Sequence, residues 1–408
     1  MRARSHQPAA KLEPPAGSQP GYRVTVARSI DEVESLRPLW ERLQGANLPS
    51  DIDYFLAVAS FHPAVVRPHV VLVEQADTDP CLLIGHVYDL RLGHRLGYWT
   101  PFRPAVRAIN LYRGHLGDAS PEALARGLQS LAGELDREAD AILLRYLERG
   151  SPLFEAAVRA FPARRRQRCS PTSVRWASDI GATLEDTLGP RSRKTRENVR
   201  RIRRRMARDF GERAAVRIFR DVSEAEVLFR DVDEVAVKTY QTGFGAVYRE
   251  DEFKRRLTEV GMRKGWYRAY VLYVDGGPVA FWTGYSYGGV FGWRGVTGYD
   301  PEYRSYSVGT YLLTAVLDDL SRDPDVHMFS LGSGDFPFKR FFGDRRWEEV
   351  DVRIFSSSPR GIWINVAGSA VHGLNVAFGR AADVRTLGNR VDALRRRRRR
   401  WEKGIGTR

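Results

Sequence analysis

One polar loop in the second half of the chain has the composition of an anion-binding site. The run Gly298–Leu313 reads G-Y-D-P-E-Y-R-S-Y-S-V-G-T-Y-L-L, a loop that follows a predicted strand and opens a predicted helix. Free N–H groups at a helix N-terminus bind anions, and a glycine lets a ligand approach the backbone closely. Ser307, Val308, Gly309 and Thr310 are therefore a candidate site for a diphosphate or a similar group. An ordinary capped turn between a strand and a helix has the same pattern.

A second run that could do chemistry follows that helix. Phe329–Gly343 reads F-S-L-G-S-G-D-F-P-F-K-R-F-F-G, with two glycines and an acid after a predicted strand and then a lysine in a compact aromatic turn. Glycines at a strand end allow close approach to the backbone, and sites often form where strands end. Asp335 and Lys339 would supply a negative and a positive group there. The alternative is a tight loop with a surface lysine.

The elements that would position these two runs occur twice along the chain in the same order. In each half, helical stripes lead into a β-meander, which is followed by a helix and a closing strand. The meander begins near His69–Val73 in the first half and near Tyr270–Val274 in the second, and the closing strands are Ala141–Leu144 and Val326–Phe329. The sequence predicts an α/β (α+β) fold of two tandem units, each with a mostly antiparallel central sheet flanked by helices.

The composition divides the chain into four segments. Residues 1–20 are rich in Pro, Gly, Gln and charge, which predicts a disordered N-terminus. We expect residues 21–175 to form the first unit and residues 176–358 to form the second unit, which contains the candidate anion site. Residues 359–408 are an apolar segment that ends in a basic tail.

Charge is the unusual feature of the composition. Lys and Arg number 65 against 50 Asp and Glu, a net charge of +15, which favours a polyanionic partner such as nucleic acid, anionic lipid or a phosphorylated small molecule. Cys81 and Cys169 are the two cysteines, too few for a disulfide scaffold or a cysteine-based metal site. We see neither a secretory signal nor a stretch of about 18 apolar residues. We expect a soluble cytoplasmic protein without a metal site.

Two segments concentrate the positive charge. In the run Arg193–Arg208, the residues Val199, Ile202 and Met206 form one apolar stripe of a helix, and arginines occupy the other faces. That helix could bind transfer RNA, or its basic face could simply be solvated. The tail ends in Arg395–Arg400 after an apolar stretch, and such a segment could lie on an anionic leaflet, where each basic residue contributes about 1 kcal/mol. A tail helix packed on the domain is the alternative.

Taken together, the two runs resemble a known family. The patterns D-P-E-Y-R-x-x-S-V-G-T-x-L-L and G-S-G-D-x-x-F-K-R-F-F-G are similar to those of the CelD/BcsL-type GNAT acyltransferases and of the related Fem-type peptidyltransferases. The resemblance extends from about Glu32 to Ile354 and is strongest from Arg191 onward. It implies a GNAT fold with acyl-CoA as cosubstrate and no permanently bound cofactor. It also implies that the donor diphosphate meets the backbone of residues 307–310.

The resemblance further implies direct attack of an acceptor amine on the thioester, so no nucleophilic residue is required. Lys339 occupies the place of the lysine in the Fem-type F-K-x-x-F pattern, where it lies in the active site. Asp300, Glu302 and Asp335 are candidate bases, acting directly or through water, although each could equally be exposed or paired with a neighbouring arginine. Residues Arg113–Asp118 of the first unit lack the V-G-x-x-L-L helix start of the second unit. We therefore expect the first unit to be a copy that cannot bind the donor and that shapes the acceptor cleft.

The function that follows is acyl-CoA-dependent N-acyl transfer to the amine of a small molecule or of an envelope or polysaccharide precursor. Two alternatives stay open. One is a Fem-like aminoacyltransferase that uses aminoacyl-tRNA, although the basic helix is too short to be the coiled-coil arm often found in that type. The other is a non-enzymatic protein that binds polyanions or attaches peripherally to the inner membrane face. Acceptor identity, acyl length and oligomeric state are left open by the sequence.

Overall fold

The computed structural model describes residues 21–76, 79–96, 99–135, 137–167, 172–239 and 251–377. These residues build one mixed sheet of 13 strands with helices on both faces, and most neighbouring strands pair antiparallel. The predicted α/β (α+β) class is thereby confirmed. The expected disorder of residues 1–20 and the basic run Arg395–Arg400 lie outside the described residues.

The first half supplies nine strands and five helices within the described residues. They are β1 (Tyr22–Ala27), α1 (Ile30–Ser35), α2 (Arg37–Leu43), α3 (Ile52–Phe61), β2 (Val65–Gln75), β3 (Cys81–Arg91), β4 (His94–Leu96), β5 (Trp99–Phe102), β6 (Ala105–Tyr112), β7 (His115–Leu116), α4 (Pro121–Glu134), β8 (Ala141–Glu148), α5 (Pro152–Ala160) and β9 (Thr172–Asp179).

The second half repeats the plan with longer helices. It contains α6 (Leu184–Leu188), α7 (Arg193–Asp209), β10 (Ala214–Phe219), α8 (Ala225–Lys238), α9 (Glu252–Arg263), β11 (Tyr267–Val274), β12 (Gly277–Tyr287), β13 (Val290–Tyr299), α10 (Val308–Leu320), β14 (Met328–Ser333), α11 (Pro337–Phe342) and β15 (Arg345–Phe355). A further helix covers 359–377. Among the described helices, none has both the length and the apolar character needed to cross a bilayer.

The two halves exchange their last strands. The sheet order is β1-β2-β3-β6-β8-β15-β9-β14-β13-β12-β11-β10, the thirteenth strand, β7, pairs with β3 beside this path, and β4 and β5 form a separate two-stranded sheet. Strand β9, which ends the first half, pairs with β14 of the second half, whereas β15, which ends the second half, pairs with β8 of the first. The two exchanged strands also pair with each other. Backbone hydrogen bonds therefore join the halves, and the boundary expected between 175 and 176 falls inside β9.

The parallel strand pairs in the middle of each half differ. In the first half, β6 pairs with β8 at five successive positions, from Ala108 opposite Ala141 to Tyr112 opposite Arg145. In the second half, β13 pairs with β14 only through Val290 and Phe291. Beyond these two positions the ladder stops, and the two strands continue in the same direction without pairing. The second half thus contains a gap between strands that the first half lacks.

The second-half sheet separates two apolar layers. Side chains alternate between the faces of a strand, so Ala280 and Trp282 of β12 join the core beneath α7 and α10, whereas Phe281 and Tyr285 join the core beneath α8 and α9. Helix α3 of the first half packs against α9 on the latter face. Helix α10 and the contact between the halves therefore lie on opposite faces of the sheet, with the gap between them.

Candidate active site

The loop between β13 and α10 presents free backbone donors at the wide end of the gap. Ser307, immediately before the helix, has a left-handed backbone with φ 58°, and its carbonyl accepts from the N–H groups of Thr310 and Tyr311. The N–H groups of Val308 and Gly309 have no acceptor among the described residues. These N–H groups follow the part of β13 that is not paired with β14. The arrangement can bind an anion.

The surroundings of Gly309 leave room for a ligand. A Cβ built at this glycine would meet only Tyr299, at 3.6 Å. The matching loop of the first half is closed, because a Cβ at Gly114 would lie 2.1 Å from a methyl carbon of Leu153. The backbone of the second loop is thus open to a ligand, whereas the backbone of the first is covered by α5.

The basic helix α7 lies against this loop. Val199, Ile202 and Met206 are buried, as the apolar stripe in the sequence predicts, and Val199 and Met206 belong to the same core as α10. Arg205 reaches the loop, donates to the carbonyl of Ser305 at 3.0 Å and stacks on the ring of Tyr306. Helix α7 therefore places positive charge next to the open N-terminus of α10.

Lys339 lies at the other wall of the gap. Its side chain is buried, its Nζ donates to the carbonyl of Ser333 at 2.6 Å, and the rings of Phe336 and Phe338 lie 5.4 and 5.9 Å away. Burial, together with the nearby charge of Arg175, lowers the pKa of Lys339 to about 8. A lysine in this state can lose its proton near neutral pH.

Two of the three candidate acids, Asp300 and Asp335, have local structural partners. Asp300 is buried, caps the 3₁₀ turn Pro301–Tyr306 by accepting from the N–H of Glu302, and lies 3.5 Å from the Nζ of Lys238. Asp335 accepts from Arg340 at 2.7 Å, and this hydrogen bond lowers the pKa of the Asp335 carboxyl. Glu302 is exposed on the donor-side loop. Asp335 and Lys339 thus lie at the end of β14, and Asp300 and Glu302 lie at the loop before α10.

A cavity of about 280 Å³ lies between the halves, on the face opposite α10. Its wall includes Arg113 from the first half, Arg175 from β9, and Trp293 and Arg294 from β13. Strand β13 bulges there, since its pairing with β12 passes from Trp293 directly to Val296. The bulge aims Arg294 into the cavity, with φ 51°. None of these four residues was a candidate from the sequence.

Comparisons with known proteins agree with this geometry in the second half. Residues 193–340 match a family model described as an acetyltransferase (GNAT) domain. The protein is an acyltransferase with a GNAT domain. The match covers the first run completely and the second as far as Arg340, whereas the assignment to the CelD/BcsL type remains a resemblance. A search of curated proteins returns no match.

Solved structures extend the likeness to both halves. FemX is 10% identical, covers 82% of this chain and 98% of its own, and superposes with a TM-score of 0.58. A tandem GNAT protein from the clavulanic acid biosynthesis pathway is 12% identical, with coverages of 82% and 99% and a TM-score of 0.45. The C-terminal DUF2156 domain of a protein assigned as a lysylphosphatidylglycerol synthetase from Agrobacterium fabrum is 12% identical, with coverages of 83% and 96% and a TM-score of 0.48. At this identity, the FemX superposition shows a shared fold.

The GNAT domain carries no metal site in its described part. No group of three or more His, Cys, Asp or Glu side chains is placed to hold a metal ion in the residues that the structure describes.

The signal that could have revealed the cavity residue Arg294 is the run G-W-R-G at 292–295, because glycines inside a strand pattern often mark a bulge. Arg113 and Arg175 carry no such signal.

The depressed pKa of Lys339 predicts a pH-dependent stability. Folding lowers this pKa from its ordinary 10.5 to about 8, so between these values the unfolded chain binds a proton that the folded protein does not. The free energy of unfolding therefore rises with pH in this window. Relative to the variant Lys339→Met, the parent should gain about 2 kcal/mol between pH 7 and pH 9.5. Urea unfolding of both proteins at the two pH values measures this gain, and an unchanged difference would contradict the lowered pKa.

Proposed function

We propose that this protein is an acyl-CoA-dependent N-acyltransferase that acts on the amine of a small molecule or of an envelope or polysaccharide precursor. The observation that carries the proposal is an open helix N-terminus, at Val308 and Gly309, placed at the wide end of the gap between β13 and β14. A diphosphate bound at the helix would leave the rest of the donor free to extend along the gap. The GNAT match over the same residues supports this use of the gap.

The donor would be held mainly through its phosphates. The N–H groups of Val308 and Gly309 meet the diphosphate, and the backbone of Ser307 and Thr310 shapes the same turn. Arg205 on α7 supplies positive charge beside this turn. The net positive charge of α7 would therefore attract the phosphates of the cosubstrate.

The reaction we propose is direct aminolysis of the thioester. The lone pair of the acceptor nitrogen forms a bond to the carbonyl carbon, the carbon–sulfur bond breaks, and coenzyme A leaves as a thiolate that takes up a proton. The nitrogen loses one proton to a base. The protein orients the reactants and stabilises the developing oxyanion, for which the unpaired edge of β13 beyond Phe291 offers backbone N–H groups.

Lys339 fits the proton acceptor best among the four candidate residues. It is buried beside the gap and becomes neutral above about pH 8. Asp335 is a weaker base because Arg340 stabilises its charged form, and Asp300 is engaged in capping the turn before α10. Glu302 lies at the surface of the donor loop. We therefore assign proton removal to Lys339 and donor-loop structure to Asp300.

The proposal for donor binding predicts a specific effect of Gly309→Val. The larger side chain has space in the protein but occupies the approach of the phosphates to the N–H groups. Acetyl-CoA affinity, measured by calorimetry, should fall at least tenfold while the folded state is kept. Gly133→Val is the matched control, because a Cβ at this helical glycine of α4 also meets nothing within 4 Å. If both variants bind acetyl-CoA like the parent, the donor does not lie at α10.

The proposal for Lys339 predicts a change in the pH profile. In the parent, kcat should rise with pH toward a plateau above about 8, since the neutral amine is the active form. Lys339→Arg keeps a permanent charge and should lower kcat about 100-fold, with acetyl-CoA affinity unchanged. Initial rates of coenzyme A release across the pH range measure both effects. A variant with the parental rate and profile would remove Lys339 from proton transfer.

The alternative donor, aminoacyl-tRNA, is favoured by the exposed arginines of α7, since Arg203 and Arg204 have no ion-pair partner in the described residues. An anionic membrane is a further alternative partner, because the helix over 359–377 exposes Ile362 and Trp363.

Binding of tRNA, phosphatidylglycerol vesicles and acetyl-CoA should be compared at low and high salt. We expect acetyl-CoA to bind tightest and with the weakest salt dependence. Submicromolar tRNA binding without acetyl-CoA binding would reverse the donor assignment.

A further inference from the structure

The cavity between the halves combines an aromatic wall with three arginines. It has a volume of about 280 Å³, close to the lower end of the range, about 300 to 1,000 Å³, in which small-molecule sites fall. Its apolar lining comes from both halves, and the main contributors are Tyr54, Phe55, Val58, Tyr88, Phe253 and Trp293. The guanidinium groups belong to Arg113, Arg175 and Arg294.

The positive charges in this wall outnumber the negative ones. Arg113 and Arg175 both donate to the buried carboxylate of Glu349, the latter at 2.9 Å. Arg294 is paired with no carboxylate in the described part of the chain; it bonds to the hydroxyl of Tyr54 and lies 5.7 Å from the ring centre of Phe253. Glu148 also lies near Arg113, so the charge in this wall that no described carboxylate offsets is that of Arg294. Arg294 is exposed and lines the cavity, so its guanidinium can donate charge-assisted hydrogen bonds to an anionic ligand.

Two further features mark the cavity as a built site. Three of its lining residues, Arg113, Tyr146 and Arg294, have positive φ values of 55°, 56° and 51°. Such conformations cost about 1 to 3 kcal/mol each and cluster at ligand sites. In addition, Asn110 is 3% exposed, and its Oδ1 has no hydrogen-bond partner in the described structure although the residue lines the cavity. An amide oxygen of this kind can accept from an ammonium or amine of a ligand.

The position of the cavity relates it to the gap. Trp293 and Arg294 lie on β13 directly after Phe291, the last residue of β13 that pairs with β14. Arg175 links the cavity to the other wall, since it donates to the hydroxyl of Ser330 on β14 at 3.1 Å. The cavity therefore opens beside the gap on the face opposite α10. An acceptor held there would meet a thioester that enters from the α10 side.

We propose that this cavity binds the acceptor, and that the acceptor is a small primary amine that carries a carboxylate or phosphate group next to an apolar body. Arg294, with Arg113 and Arg175, binds the anionic group, the aromatic wall holds the apolar body, and the amine is directed toward the gap. The inference rests on the proposed acyl transfer. It narrows the acceptor from any amine to an anionic amine of about amino-acid size.

Three probes that share the phenylalanine side chain and α-amine and differ in the group at the carboxyl position test the inference on the parent protein. They are L-phenylalanine, L-phenylalaninamide, whose amide group is neutral, and the phosphonate analogue of phenylalanine. Calorimetry in the presence of acetyl-CoA should show at least tenfold tighter binding of the carboxylate or the phosphonate than of the amide, and the tighter of the two identifies the anionic group. Equal binding of all three probes, or no binding of any, overturns the inference.

A variant then assigns the preference to this cavity. Arg294→Gln should reduce the affinity for the anionic probe at least tenfold, with little change for the amide and for acetyl-CoA. Arg263→Gln, at an exposed ion pair on α9, is the control and should behave like the parent. A preference that survives in Arg294→Gln places the acceptor elsewhere.

The failure of this inference differs from the failure of the proposed function. If acetyl-CoA does not bind but the anionic probe does, the donor is wrong and the cavity assignment stands. If acetyl-CoA binds and neutral amines are acylated as fast as the anionic ones, the acyl transfer stands and the cavity assignment is wrong.

Discussion

The exchange of β9 and β15 between the halves is the constraint on which the site depends. Each strand pairs with the other half and with its exchanged partner, so neither half has a complete sheet alone. The side chain of Glu349 on β15 reinforces the junction, because it is buried and accepts from Arg113 of the first half and Arg175 of β9. Removal of one member of such a buried group leaves an uncompensated charge, typically at a cost of about 3–5 kcal/mol. The same arginines line the cavity, so the interaction that joins the halves also forms the wall of the candidate acceptor site.

Within this shared sheet, two units of the same order have become different. Continuous pairing of β6 with β8 and the packing of Leu153 over Gly114 leave no gap in the first unit. In the second unit, only two residue pairs join β13 to β14 and the backbone at Gly309 is open, so a gap remains between the strands. The two units differ in the extent of parallel strand pairing and in a single covering side chain. The first unit instead contributes α3 and the ends of its central strands to the cavity that we propose as the acceptor site.

The sequence predicts what depends on local pattern. The repeated order of elements, the apolar stripe of α7 and the helix start at Ser307–Thr310 are all local, and the structure has them at or near the expected residues. The strand exchange is not local, since the pairing of β15 with β8 joins Phe355 to Ala141, and hydrophobic periodicity does not specify a partner strand. For the same reason, Arg113, Arg175 and Arg294 could not be grouped from the sequence. The sequence left open whether each candidate acid is paired or exposed, because the partners of Asp335 and Asp300 depend on side-chain geometry.

The net charge of +15 has a more specific meaning in the folded protein than in the sequence. Many surface arginines are offset locally, as in the pairs of Arg193 with Glu197 and Arg340 with Asp335, and exposed pairs of this kind contribute little. The charges with functional weight are those that face a ligand site without full compensation: Arg205 beside the helix N-terminus and Arg294 in the cavity. They lie on opposite faces of one sheet. A donor held by its phosphates on one face and an acceptor held by its anionic group on the other would each be anchored away from the gap, so that only their reactive ends, the thioester and the amine, meet between β13 and β14.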